Sequence, residues 1–197
     1  MKKAVFLDKD GTLIPDIPYN VNPDIITIQE EAIEGLQLLQ EHGYLLVAVS
    51  NQSGVAKGYF KVEDLQAVTQ RIKDLLQQYC VTINGFYYCP HFPGAVVAEY
   101  GIACQCRKPA PGLLIKAAND LQIDLTQSWM IGDILNDVEA GKRAECKTIL
   151  INNGNETEWM LNEYRMPDFK AASINEAARY IVNFSSIKNK QYARGLV

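Results

Sequence analysis

An α/β fold, a mostly parallel sheet sandwiched by helices, is predicted by three observations. Short apolar runs alternate with longer segments of helical spacing, the ends of those runs carry Asp, Ser, Lys and Gly, and 48% of the 197 residues are hydrophobic. That length and apolar content fit one domain with a sizeable core.

The elements follow in order. Ala4 to Asp8 is a buried strand, and a polar loop marked by Pro15, Pro18 and Pro23 lies over its end. Between Glu30 and His42, the residues Ala32, Ile33, Leu36 and Leu39 keep the spacing of one helical face, and Gly43 supplies a C-terminal cap. Tyr44 to Val49 reads as a strand. Val62, Leu65, Val68, Ile72, Leu75, Leu76 and Tyr79 form a second helical stripe, and Gly85 to Tyr88 begins a third strand. No period is sustained between Cys89 and Lys108. Pro111 to Leu121 resumes as a helix with Leu113, Leu114, Ala117, Ala118 and Leu121 inward; Trp129 to Gly132 is a strand, Ile134 to Gly141 a helix and Lys147 to Ile151 a strand. Beyond Asn152, helices are expected at Glu156 to Tyr164 and Ile174 to Asn183, and residues 186–197 read as a tail after a single domain spanning 1–185.

A formal net charge of -4 argues against a protein that grips nucleic acid by its phosphates, which needs a basic face. Lys2 and Lys3 precede only the short apolar stretch Ala4 to Leu7, so neither a signal peptide nor a membrane span is expected, and the cytoplasm is the expected compartment. In a reducing compartment the five cysteines read as metal ligands or buried thiols.

Four polar segments fall at successive strand ends: Asp8-Lys9-Asp10-Gly11-Thr12, Ser50-Asn51-Gln52-Ser53-Gly54, Arg107-Lys108-Pro109 and Gly132-Asp133-Ile134-Leu135-Asn136-Asp137. In a parallel sheet those ends share one edge, where ligands bind. Asp8 and Asp10, two positions apart, can converge on one spot. The set offers a carboxylate nucleophile, a hydroxyl, a lysine and a further acid pair, the parts of a phosphoryl-transfer site.

A second constellation has metal-ligand spacing. Cys89, His91, Cys104 and Cys106 give C-x-H, twelve intervening residues, then C-x-C. Three thiolates and one imidazole suit a closed tetrahedral Zn²⁺ site of structural type. Such an ion would shape a loop otherwise long for one without secondary structure, and so set the approach of Arg107 and Lys108.

The order and type of the four motifs resemble the haloacid dehalogenase (HAD) superfamily of phosphatases over nearly all of the first 150 residues. That resemblance implies a Rossmann-like fold and, through the small sugar-phosphate phosphatases within it that share the zinc spacing, a monomer without a large cap domain acting on a small-molecule sugar phosphate. It also implies that Asp8 forms an aspartyl-phosphate, while Asp10 protonates the leaving oxygen and then deprotonates water. A carboxylate approaching a phosphate dianion is repelled by roughly 4 kcal/mol per unit-charge pair at about 4 Å and an effective dielectric near 20. The family counters this with Mg²⁺, for which Asp8, Asp133 and the Asp10 backbone carbonyl would be ligands, and with Lys108 as a compact second cation. Ser50 and the N–H groups of the Asn51 to Gly54 turn would hold the phosphoryl oxygens.

With the zinc spacing added, the chain is most similar to the heptose 1,7-bisphosphate 7-phosphatases of surface-glycan precursor synthesis. The related histidinol-phosphate phosphatases share these pieces, often with a shorter zinc loop. Asp16, Tyr19, Asn51, Gln52, Ser53 and Arg107 are the expected substrate contacts, although Tyr19 could simply pack. One position departs from the pattern: Ile134 stands where the family commonly carries Lys or Arg after the fourth-motif aspartate. A histidinol-phosphate or broader phosphatase, and a zinc-stabilised binding module without turnover, stay open alternatives. Asp137 could orient metal-bound water or a lysine, bind metal, or serve as an N-terminal helix charge. Cys80 and Cys146 are expected as buried thiols, His42 at an exposed helix end, and Trp129, Phe86 and the tyrosines near Cys89 in the core.

Overall fold

The structure, a computed structural model, describes the backbone of residues 1–193 and side chains through residue 187. Six strands, β1 (Lys3–Leu7), β2 (Tyr44–Asn51), β3 (Ile83–Cys89), β4 (Trp129–Gly132), β5 (Lys147–Ile151) and β6 (Phe169–Ala171), form one sheet in the order β3-β2-β1-β4-β5-β6. Every pairing is parallel, as the alternation of strands and helices requires. The chain winds outward from β1 in one direction and then from β4 in the other, so the switch in winding falls between these two strands.

Five helices cover the two faces: α1 (Ile33–Glu41), α2 (Asp64–Gln77), α3 (Gly112–Leu121), α4 (Leu135–Arg143) and α5 (Ile174–Ala193). Alternation along β1 shows the layering. Val5 and Leu7 pack with Leu36 and Leu39 of α1, Ile72 and Leu76 of α2 and Ile181 of α5. Ala4 and Phe6 face Leu113, Leu114 and Ala117 of α3 and Ala140 of α4. A strand apolar on both faces belongs at the centre of such a sandwich. Gly43 has φ +75° and ends α1 in the left-handed turn anticipated for it. No cap-like unit folds over the sheet, and no helix is long and apolar enough to cross a membrane, among the described residues.

Three expectations need correction. Glu156 to Tyr164 is irregular, not helical: Glu156 spends its carboxylate on the backbone of another element, Trp159 has φ 37°, and Met160 and Leu161 are exposed rather than packed on a face. The short strand β6 was not anticipated. Cys80 is exposed in the turn after α2, whereas Cys146 is buried. The helix α5 continues through Ala193, so residues 186–193 are helical rather than a tail; 194–197 lie outside the described residues. His42 caps the exposed end of α1, and Trp129 is core.

Candidate active site

Asp8 follows β1, Ser50 lies near the end of β2, and Asp133 follows β4. Neighbouring parallel strands in register bring their ends level: Leu7 pairs with Ala48 and Ile131, and the Asp8 N–H donates to the Ile131 carbonyl at 2.9 Å. The Asp10 to Ile14 turn then closes on itself, with Gly11 at φ +80°. A Cβ at Gly11 would lie 2.1 Å from Asp133 Oδ2, so only glycine lets the first motif approach the fourth.

The centre of the site is a buried lysine. Lys108 Nζ donates to Asp8 Oδ1 and to Asp137 Oδ1, each at 2.5 Å, and to the Val49 carbonyl at 3.1 Å. Asp8, Asp133 and Asp137 each offer an oxygen within 4.8 Å of the others. Burial pushes the Asp8 carboxyl up to about 7; Lys108 pulls against this, and Asp137 and Asp10 add to it. Burial also pushes Asp133 up to about 6, the Asp8 charge reinforcing it and hydrogen bonds from Asn155 and Thr12 opposing it. Burial alone would lower Lys108, but Asp137 and Asp8 hold it above the ordinary lysine range. Three carboxylates against one lysine leave a local excess of negative charge with hard oxygen donors, which suits a divalent cation of the Mg²⁺ type.

Because Lys108 joins two buried acids, Lys108→Met should leave both unpaired. We expect a loss of about 3–5 kcal/mol in unfolding free energy without divalent cation, measured by urea titration at neutral pH. A loss below about 1 kcal/mol would show that the two acids do not depend on the lysine.

Asp10 stands apart from the three clustered carboxylates. It is partly exposed, pairs with Lys9 Nζ at 2.6 Å and accepts from Gln52 Nε2 at 3.0 Å. The same Gln52 amide donates to Ser50 Oγ at 2.7 Å, so Gln52 ties the second motif to Asp10. Asp16, Tyr19, Asn51, Gln52 and Ser53 line one cleft of about 270 Å³ together with Lys9 and Asp10. Asn51 is used differently from the expectation. Its carboxamide donates to the Lys108 carbonyl and accepts from the Lys108 N–H, both at 3.0 Å, which fixes that backbone and leaves little of the side chain for a ligand. At the rim, Lys57 Nζ donates to the Tyr19 hydroxyl at 2.6 Å, and Lys57 and Arg107 both lie about 5 Å from the Phe92 ring centroid. Ile134 is half-buried at the start of α4, where its N–H donates to Asp137 Oδ2 at 3.3 Å. Asp137 is thus both partner of the motif lysine and an N-terminal helix carboxylate.

Cys89 ends β3, and His91, Cys104 and Cys106 fold back to it. In five of their six pairings the sulfur and Nδ1 atoms lie 3.0–3.6 Å apart, and one ligand atom from each of the four lies within 4.8 Å of the others. Bonds of about 2.3 Å to one tetrahedral ion would put ligand atoms roughly 3.7 Å apart, so the four side chains need only small adjustments to hold a metal ion.

Asn153, Asn155 and Glu156 also reach the site, and no motif flagged them. Asn153 Nδ2 donates to the Gly11 carbonyl, Asn155 Nδ2 to Asp133 Oδ2, and Glu156 accepts from the Leu135 N–H. The available signal was position: they follow β5, whose end shares the same sheet edge.

A HAD-hydrolase-like family model matches residues 105–177. The D-glycero-beta-D-manno-heptose-1,7-bisphosphate 7-phosphatase of Pasteurella multocida (strain Pm70) is 44% identical over 78% of this chain and 84% of that protein. The enzyme of the same name from Escherichia coli (strain K12) is 37% identical over 81% of this chain and 88% of its own. Among solved structures, a putative HAD-like phosphatase from Mesorhizobium loti superposes with a TM-score of 0.80 at 30% identity, over 91% of this chain and 86% of that one. The D,D-heptose 1,7-bisphosphate phosphatase from B. bronchiseptica, complexed with magnesium and phosphate, gives a TM-score of 0.75 at 25% identity, over 92% and 98%. Sheet order, strand-end motifs and relatives agree, and the chain belongs to the D-glycero-β-D-manno-heptose-1,7-bisphosphate 7-phosphatase family of HAD-like hydrolases.

Proposed function

We propose that this protein removes the 7-phosphate of D-glycero-β-D-manno-heptose 1,7-bisphosphate, through an aspartyl-phosphate on Asp8, in the synthesis of activated heptose for surface glycans. The observation that carries the chemistry is the buried group of Asp8, Asp133 and Asp137 around Lys108 at the sheet's carboxyl edge. The substrate follows the relatives' names.

Asp8 and Asp133, with the Asp10 backbone carbonyl, would hold Mg²⁺. When bound, the ion neutralises charge on the phosphoryl oxygens and on the nucleophile. Lys108 fixes Asp8 by Oδ1 and leaves Oδ2 to attack phosphorus. Ser50 and the Gln52 to Gly54 backbone bind the phosphoryl oxygens as their charge develops. Asp10, within reach of the cleft, gives its proton to the departing sugar oxygen; it then takes one from the water that cleaves the acyl phosphate. Gln52 keeps Asp10 beside Ser50 throughout. Arg107 and Lys57 at the rim offer cations to the distal phosphate, while Asp16 and Tyr19 contact the sugar. Cys89, His91, Cys104 and Cys106 would hold a structural Zn²⁺. Thiols grouped as metal ligands suit the reducing cytoplasm as the working compartment, and the enzyme acts as a monomer by its family resemblance.

Phosphate release with Mg²⁺ from the heptose bisphosphate and from histidinol phosphate tests the reading. A kcat/KM ratio of about 100 or more in favour of the heptose is expected. A ratio near one or below overturns the substrate, and no release from any phosphomonoester overturns the chemistry.

Mg²⁺ binding should also depend on pH. Asp8, pushed up to about 7, and Asp133, pushed up to about 6, retain protons in the free fold that a cation must displace. Affinity therefore rises with pH through that window, by up to about tenfold per unit for each proton displaced, and levels off above it. Calorimetric titration at several pH values would expose a flat profile, which would argue against these two ligands.

A further inference from the structure

Asp133 is buried, and each of its oxygens has a donor from a different part of the chain: Thr12 Oγ1 reaches Oδ1 at 3.2 Å, and Asn155 Nδ2 reaches Oδ2 at 2.7 Å. We propose that Asn155 is a positioning residue for the cation site, its carboxamide holding the Asp133 carboxylate in the one orientation that turns a lone pair toward Asp8. The proposal rests on the reading of Asp133 as a Mg²⁺ ligand.

A carboxylate only accepts, so the amide nitrogen of Asn155 must be the atom that faces it. Each carboxylate oxygen has two acceptor directions, and one hydrogen bond per oxygen leaves capacity for a cation. Two donors on separate elements remove rotation about the Asp133 side chain, as one could not. Without them the Asp8 charge would favour turning Asp133 away, since the two acids repel across a buried gap.

Asn155 is itself held. Its N–H donates to Asn153 Oδ1 at 3.2 Å, and Asn153 Nδ2 donates to the Gly11 carbonyl at 2.8 Å. Glu156 Oε2 accepts from the Leu135 N–H at 2.6 Å, two residues beyond Asp133. The turn after β5 thus clips the first motif to the fourth, and Gly11 leaves room for the clip: a Cβ there would lie 2.5 Å from Asn155 Nδ2. Partners that orient a ligand in this way typically contribute 10- to 100-fold in metal affinity.

The test is a calorimetric titration of the zinc-containing full chain with Mg²⁺ alone. It is paired with the Mg²⁺ dependence of p-nitrophenyl phosphate turnover. For Asn155→Ala, Mg²⁺ affinity should fall by about 10- to 100-fold, with turnover largely restored by raising Mg²⁺. Asn155→Ser, whose hydroxyl keeps a shorter donor, should fall between the two and guards against a misfolded first variant. Variant affinity within about twofold of the original would overturn the proposal, whatever happens to thermal stability. Turnover lost and not recovered by Mg²⁺, with affinity intact, would overturn it too, by placing Asn155 in substrate binding. If the unaltered protein bound no Mg²⁺, the ligand reading itself would fall, and this inference with it.

Discussion

Asp8→Asn is expected to give a folded protein whose turnover is lower by at least about 10⁴-fold. The substitution keeps the shape of the side chain and removes the charge that makes it a nucleophile. Folding should survive because Lys108 retains Asp137 and the Val49 carbonyl as partners. Removing an acid whose charged form is disfavoured by burial and by two neighbouring acids should moreover leave the metal-free protein at neutral pH no less stable. The sign follows from linkage: a carboxyl raised from 3.8 to about 7 favours the fold while protonated, and that contribution is lost as pH climbs between those values. A neutral amide has no such loss. Steady-state phosphate release and thermal unfolding without divalent cation check both halves; activity within about tenfold of the original would remove Asp8 as the attacking group.

Stripping zinc, or Cys106→Ser, should lower stability and turnover together. From Pro90 to Pro111 there is no helix or strand; turn hydrogen bonds such as Phe92 N–H to the Tyr100 carbonyl and Val97 N–H to the Ala56 carbonyl shape the segment together with the four clustered ligands. Ordering the backbone of the twelve residues between His91 and Cys104 costs about 12–24 kcal/mol, and zinc ligation in small peptide sites contributes about 10–16 kcal/mol, so loss of the ion removes a large part of what offsets that cost. The consequence reaches catalysis because Lys108 is two residues beyond Cys106. Asn51 grips the Lys108 backbone from β2, but it cannot hold the loop that feeds into it. A fall in melting temperature on the order of 10 °C and a turnover loss of about 100-fold or more are expected. Elemental analysis should find about one zinc per chain. Unchanged melting and turnover in zinc-free protein with reduced thiols would refute the role.

What was legible in the sequence was whatever local pattern encodes. Trp129–Gly132 and Lys147–Ile151 match their strands because each is a short apolar run between polar residues, and the C-x-H and C-x-C pairs close into one cluster because ligand spacing leaves few alternatives. The failures share a different cause. Glu156 to Tyr164 has the composition of a helix, yet Asn155 and Glu156 are drawn to Asp133 and Leu135, contacts that no local window contains. Asn51 lies in a motif associated with phosphate, but its amide is matched to a backbone 57 positions away. Lys9 pairs with its neighbour Asp10, a contact that comes from the tight turn after β1 and that strand alternation does not supply. In each case tertiary pairing decided how a polar side chain is used.

The placement of β1 has a consequence for biosynthesis. Its neighbours in the sheet come from Tyr44 onward on one side and only from Trp129 onward on the other. A ribosome delivers these pieces in sequence, so an emerging chain must shield a doubly apolar ribbon through most of its translation before the far flank arrives. Truncated products ending before Trp129 should therefore be clients of holding chaperones rather than smaller, weaker enzymes.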